Sequence, residues 1–349
     1  MTFNLNNLIR ENVKGLQPYS SARDEYVSDG SKMVFLDANE NPFENGVNRY
    51  PDPKQRSLKT LLAAQKGIHE DNILLGNGSD EVLDLLFRAF CEPKKDNVIT
   101  LPPTYGMYQV LSGINTITNK TVLLDEDFQP KVDDILNTVD ENSKLLFICS
   151  PNNPSGNNIA TQKIKSLLER FNGLVVIDEA YIDFSSEESW VSKISDYPNL
   201  VITQTLSKAY GMAGIRLGIC ISSAEIIAVL NKIKPPYNIN ELTQQRAMER
   251  VGNQKAVADE VAHILSERKK LQTALEKVAF VSKVYPTDAN FILAKVDNAT
   301  NRYDQLLKKG IVVRNRTTQA LCENTLRFTI GTSEENMILV KMLNQIAIS

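Results

Sequence analysis

The chain has 349 residues, with 39 lysines and arginines against 42 aspartates and glutamates, for a formal charge of -3. That length exceeds one ordinary core and favours two domains, and the near-balanced charge makes neither nucleic acid nor an acidic membrane an obvious partner, which leaves small molecules. Only two histidines, His69 and His263, and four widely spaced cysteines, Cys91, Cys149, Cys220 and Cys322, occur, which argues against a metal site, a Ser-His-Asp triad and a disulfide framework.

In chain order, residues 1–35 are polar with few apolar anchors and read as an N-terminal arm. The start has no basic segment followed by an apolar stretch, and no run of about 18 apolar residues occurs, so a cytoplasmic protein is expected. From 36 to 238, short apolar runs alternate with amphipathic segments. NILLG, NVITLP, TVLL, KLLFICS, GLVVIDEA, LVITQT and LGICIS predict strands, while DEVLDLLFRAFCE and TQKIKSLLERF predict helices. Periodicity alone leaves some of these runs open to a buried-helix reading. The alternation predicts an α/β domain whose mostly parallel sheet is buried on both faces by helices. Pro235 and Pro236 break that pattern. Residues 239–349 then predict a smaller α/β domain: a charged helical stretch from about Glu241 to Val278, followed by strand-like NFILAKV, GIVVRN and TLRFTIG.

Ligands of open α/β sheets collect at the carboxyl ends of strands, and polar residues follow each apolar run here. Ser79 and Asp80 follow the first, Tyr105 the second, Asn153 the fourth, Asp178 and Tyr181 the fifth, and Thr205, Ser207 and Lys208 the sixth. Together they suit an anionic aromatic aldehyde, and pyridoxal 5'-phosphate has each feature. Backbone amides at Gly78-Ser79-Asp80, the hydroxyls of Thr205 and Ser207 and the guanidinium of Arg216 suit a phosphate. Asp178 suits a protonated ring nitrogen, Asn153 and Tyr181 a ring hydroxyl, Tyr105 a ring face, and Lys208 a Schiff base with the aldehyde. Local alternatives stand beside several of these. Ser79 and Asp80 fit helix caps, Asn153 fits a residue shaping the PNNP turn, and Tyr105 and Tyr181 fit core aromatics.

The segments SPNNPSG, VVIDEAYIDF, TLSKAYGMAGIRLG and LRFTIG resemble signatures of the fold-type I aminotransferases. LDANENPF, RYPDP, RAFCEPKKDNVITLPPTYGMY, ANFIL and GIVVRN are similar to the histidinol-phosphate aminotransferases in particular. The resemblance covers nearly the whole chain in order. It implies a homodimer with active sites at the subunit interface, a seven-stranded cofactor domain, and catalysis by Lys208, Asp178 and Tyr181. It also implies that Tyr50 reaches the cofactor phosphate of the neighbouring subunit, and that Arg327, Arg314 and Tyr19 bind substrate. The substrates it implies are histidinol phosphate and 2-oxoglutarate. A related pyridoxal-phosphate enzyme, such as an aromatic aminotransferase or a threonine-phosphate decarboxylase, remains the alternative. A transcription regulator on the same scaffold would need a basic DNA-binding segment that the sequence lacks.

Overall fold

The computed structural model describes residues 3–17 and 33–348. Alternation inside the apolar runs decides the architecture. In Ile73–Asn77 (β1), Ile73 and Leu75 enter one apolar cluster and Leu74 the opposite one. Strands Asn97–Thr100 (β2), Thr118–Thr121 (β3), Ser143–Cys149 (β4) and Leu174–Asp178 (β5) follow. In β5, Val175 and Ile177 share the first cluster and Leu174 and Val176 the second. A period of two with both faces apolar is a doubly covered strand, which settles the helix-or-strand ambiguity. Leu200–Thr205 (β6) and Leu217–Ser222 (β7) complete a sheet ordered β1-β7-β6-β5-β4-β2-β3, in which only β7 runs antiparallel to its neighbours.

The smaller sheet is antiparallel throughout: Val281–Val284 (β8), Phe291–Val296 (β9), Arg314–Asn315 (β10) and Thr325–Thr329 (β11), in the order β10-β11-β9-β8. One face, with Ile292, Ala294, Leu326 and Phe328, packs on helices Gln254–Leu275 and Ser333–Ile348. From the other face Phe291 meets Tyr181, Phe184 and Ala209 of the large domain.

Several expectations need correction. The third strand is the polar TNKT, which begins three residues ahead of the apolar TVLL. It is an edge strand with one paired side, so its hydrogen bonds rather than its side chains define it. β8 has the same character, its middle residues exposed, and escaped notice. Of GIVVRN only Arg314–Asn315 joins the ladder. The stretch from Glu241 is two helices, Glu241–Gly252 and Gln254–Leu275, because the Asn253 side chain accepts the Ala256 N–H and starts a new helix. Ala247 and Val251 of the first helix join the large sheet's cluster, whereas Leu271 and Leu275 of the second join the small one. The N-terminal segment is better anchored than its composition suggests. Leu8 and Val13 are buried in the large domain, and the Arg10 N–H donates to the Ala89 carbonyl at 3.1 Å. All four cysteines are buried and free. Among the described residues no helix is long and apolar enough to cross a membrane.

Candidate active site

A cavity opens where β4, β5 and β6 end. The reversal of β7 completes it: because β7 lies antiparallel between β1 and β6, Arg216 just before it arrives at the edge where those two strands finish. Its backbone sits at φ 53, unusual for a residue with a side chain, and its carbonyl accepts the Gly78 N–H at 2.9 Å. Gly78, at φ 79, brings the chain against this arginine; a Cβ there would lie 2.6 Å from the guanidinium.

Gly78 introduces helix Ser79–Phe90, and no side chain caps that terminus. Ser79 and Asp80 are thus first-turn residues rather than caps, and they line the cavity with a helix start whose free amides and dipole suit an anion. Gly218 of β7 lets this terminus approach, since a Cβ there would overlap the Ser79 amide nitrogen and the Gly78 carbonyl carbon. Gly218→Ala is therefore expected to cost about 1–3 kcal/mol by overpacking. Cofactor titration and thermal melts should both register the displaced helix.

Two hydroxyls line the cavity beside this helix start. The Ser207 N–H donates to Thr205 Oγ1 at 3.1 Å, and the two side-chain oxygens are 3.0 Å apart. Asp80 lies 3.6 Å from the Arg216 guanidinium and accepts the Tyr105 hydroxyl at 3.0 Å, so Tyr105 is fixed across the cavity mouth.

Asp178 is the last residue of β5 and 3% exposed. Its Oδ2 accepts the Tyr108 hydroxyl at 2.8 Å and its Oδ1 the Ala180 N–H at 3.2 Å. Burial raises its pKa, and these two hydrogen bonds only partly oppose the rise. Lys208 lines the same cavity, with Nζ 5.8 Å from the centre of the Tyr181 ring. Its pKa is lowered, first by burial and then by the charge of Arg327, against the pull of Asp178. A lysine in that state loses its proton more readily than an ordinary one.

Asn153, Tyr181 and Arg327 form a chain along one wall. The Arg327 guanidinium donates to the Asn153 side-chain oxygen, and the Asn153 amide donates to the Tyr181 hydroxyl at 3.4 Å. The PNNP turn is held instead by Asn152, which donates to the Pro103 carbonyl at 2.9 Å and to Ser155 at 2.7 Å. Asn153 is left to face the cavity. Arg314 lies directly opposite Arg327 across β10 and β11. Tyr50 is half-exposed, stacked on Tyr237 at 4.5 Å, and stays outside its own chain's cavity. Tyr19 lies outside the described residues.

Residues 31–343 match the protein family described as aminotransferase class I and II. The chain belongs to this family. It is 65% identical to the histidinol-phosphate aminotransferase of Flavobacterium johnsoniae over 98% of both chains, and 60% identical to that of Christiangramia forsetii over 99% of this chain and 98% of the relative. The crystal structure of the histidinol-phosphate aminotransferase from Clostridium acetobutylicum superposes with a TM-score of 0.80 at 27% identity, covering 86% of this chain and 91% of that one. Aminotransferases of this family depend on pyridoxal phosphate.

Two buried residues beside Asp178 in this aminotransferase, one touching its carboxylate and one next to it in sequence, went unread in the sequence. Tyr108, fully buried and stacked on Phe147 at 4.8 Å, reaches Asp178 from helix Met107–Asn115. The signal was present in PTYGMY, where a second tyrosine follows Tyr105 by three residues and the two rings meet edge to face at 5.6 Å. Glu179 is buried, accepting the Ser189 hydroxyl at 2.6 Å and the Trp190 N–H at 2.7 Å. Tyr108→Phe keeps the ring stack and removes only the hydroxyl, so the Asp178 carboxylate loses a donor and its pKa should climb further. A fall in kcat of about tenfold, with the pH profile displaced upward, is expected from losing one hydrogen bond to a charged group.

Proposed function

We propose that this aminotransferase moves the amino group of histidinol phosphate to 2-oxoglutarate, releasing imidazole-acetol phosphate and glutamate, as a cytoplasmic homodimer serving histidine biosynthesis. The observation that carries the proposal is a cavity lined by both a lysine of lowered pKa and a buried aspartate, flanked by an arginine-rich face of the small domain. The 65% identity to a histidinol-phosphate aminotransferase supports the choice of substrate.

The side chains present fit pyridoxal phosphate. The uncapped helix start, Thr205, Ser207 and Arg216 would hold its phosphate; Asp178, buried with no salt bridge among the described residues, would hold its protonated ring nitrogen; and Asn153 and Tyr181 would hold its ring hydroxyl. When bound, the cofactor supplies an aldehyde for amine exchange and a ring that absorbs the charge left by removal of a C–H proton. Lys208 would hold the aldehyde between turnovers. Once displaced, its amine would take the proton from the substrate carbon that bears the nitrogen and give one back on the other side of the exchange, a role that a lowered pKa favours. Asp178 would keep the ring nitrogen protonated, an ion pair that exclusion of water would strengthen. Tyr181, whose own pKa is raised by burial, keeps its proton and donates it as a hydrogen bond. Arg327 and Arg314 would grip the substrate anion, phosphate in one half-reaction and carboxylate in the other.

Dimerisation is supported by apolar side chains standing in solvent on the segment around Tyr50. Val34 and Phe43 are each 78% exposed and Leu36 87%. A second copy covering them would also carry Tyr50 toward a neighbouring cavity.

The test is a donor comparison. Histidinol phosphate should exceed phenylalanine by at least about a hundredfold in kcat/KM with 2-oxoglutarate as acceptor, a margin of roughly 2.7 kcal/mol in transition-state binding. Preference for phenylalanine, or carbon dioxide release from threonine phosphate, would replace this reading with one of its relatives.

A further inference from the structure

We infer that Arg316 is a third guanidinium of the substrate-anion site and makes that site prefer a phosphate monoester to a carboxylate. The inference rests on the reading that the amine substrate carries a phosphate.

Strand geometry carries it first. Arg314 pairs with Arg327 in register, and the Arg316 N–H, two residues on, donates to the Thr325 carbonyl at 2.9 Å and so extends the ladder. Residues two apart on a strand share a face, and residues directly opposite on antiparallel strands share it too. Arg314, Arg316 and Arg327 therefore stand on one side of the sheet. That side is opposite to Leu326 and Phe328, which fill the small-domain core. From it Arg327 reaches Asn153 and lies 4.9 Å from the centre of the Phe291 ring, so it faces the cavity of Lys208.

The hydrogen-bond inventory carries it second. The Nε atoms of Arg316 and Arg327 are both buried without a hydrogen-bond partner. Among the described residues no ion pair joins any of the three arginines to a carboxylate. A buried, unpartnered guanidinium N–H is costly, and three clustered positive charges raise that cost unless an anion is expected there. The repulsion is visible at Arg316, whose pKa is pushed down to about 10 by burial and then by Arg327 and Arg314. Tyr181 of the cavity wall feels the charges of both Arg327 and Arg316.

The chemistry then selects the anion. One planar guanidinium saturates a carboxylate through two parallel hydrogen bonds. A phosphate monoester brings a second negative charge and a third terminal oxygen, and only it can use a further guanidinium fully. Arg316 is thus assigned to the half-reaction with the phosphorylated amine, and glutamate should scarcely notice it.

The experiment titrates inorganic phosphate and acetate, at constant ionic strength, into the cofactor-loaded wild type, Arg316→Gln and Arg316→Lys. Arg316→Gln should weaken phosphate roughly tenfold or more, the scale of one charge-assisted contact, and acetate by less than about twofold. Arg316→Lys should fall between and carries the same test if the Gln variant does not fold. KM for histidinol phosphate should rise in parallel while KM for glutamate holds. Equal weakening of both anions would reduce Arg316 to a general source of positive potential and overturn the assignment, as would unchanged phosphate binding in a folded variant. A wild type that prefers phosphate through Arg316 yet does not turn over histidinol phosphate would leave the assignment standing and refute the substrate instead.

Discussion

Lys208→Ala is expected to lose turnover by at least about 10⁴-fold, at the upper end of what one proton-transferring side chain supplies, because the same amine also holds the cofactor aldehyde. The visible absorbance of that linkage should vanish together with activity, and borohydride trapping of the parent should mark residue 208 alone. Lys208→Arg is the sharper companion. It keeps a positive charge in the cavity but offers no neutral amine at accessible pH, so it should be equally inactive. Neither change should unfold the protein. The pKa of Lys208 is lowered in the folded chain by burial and Arg327, so its proton is held more weakly folded than unfolded. This lysine therefore costs stability at pH values below its folded pKa, a cost that fades as pH rises through that value and the ordinary lysine pKa. An alanine variant that melts at or slightly above the parent at neutral pH, and is inactive, fits the assignment. A variant that still cycled would end it.

Asp178→Asn is expected to lower kcat by about a hundredfold to a thousandfold, the range seen when one preorganised electrostatic partner is removed. Asparagine is close in shape. It can accept the Ala180 N–H, and the Tyr108 hydroxyl can turn to accept from its amide, so both contacts of the aspartate survive. What disappears is the charge that keeps a ring nitrogen protonated. The pH behaviour separates this role from a structural one. Burial raises the folded pKa of Asp178 above its unfolded value, so the favourable contribution belongs to the protonated form: it is fully present below the unfolded pKa and lost as pH rises through the folded one. Without cofactor, Asp178→Asn should then be at least as stable as the parent at neutral pH. With cofactor it should bind more weakly and turn over slowly. A large loss of stability in the cofactor-free variant would mean that Asp178 serves the fold rather than the reaction.

The strands that were legible in the sequence are those buried on both faces. β4 through β7 announce themselves because each carries a run of at least three consecutive apolar residues, and the polar residue that ends such a run, as Asp178 ends β5, is conspicuous for the same reason. β3 and β8 were not legible, since an edge strand is defined by one row of backbone hydrogen bonds that many side chains permit. Tyr108 was missed because its meaning depends on Asp178, 70 residues away in sequence. Arg316 was missed because GIVVRN reads as a strand ending at Asn315, although the arginine two places past Arg314 continues its face.

By itself the sequence determined which residues could do chemistry and that they follow apolar runs in an α/β order, because side-chain period and residue type are local properties carried along the chain. Only the tertiary structure decided that β7 runs backward and delivers Arg216 to the helix start at Ser79, that Asn153 rather than Asn152 faces the cavity, and that three arginines share one side of the small sheet. Those outcomes depend on which strand pairs with which and in what register, and pairing is fixed by contacts between segments far apart in the chain, where no local pattern records it.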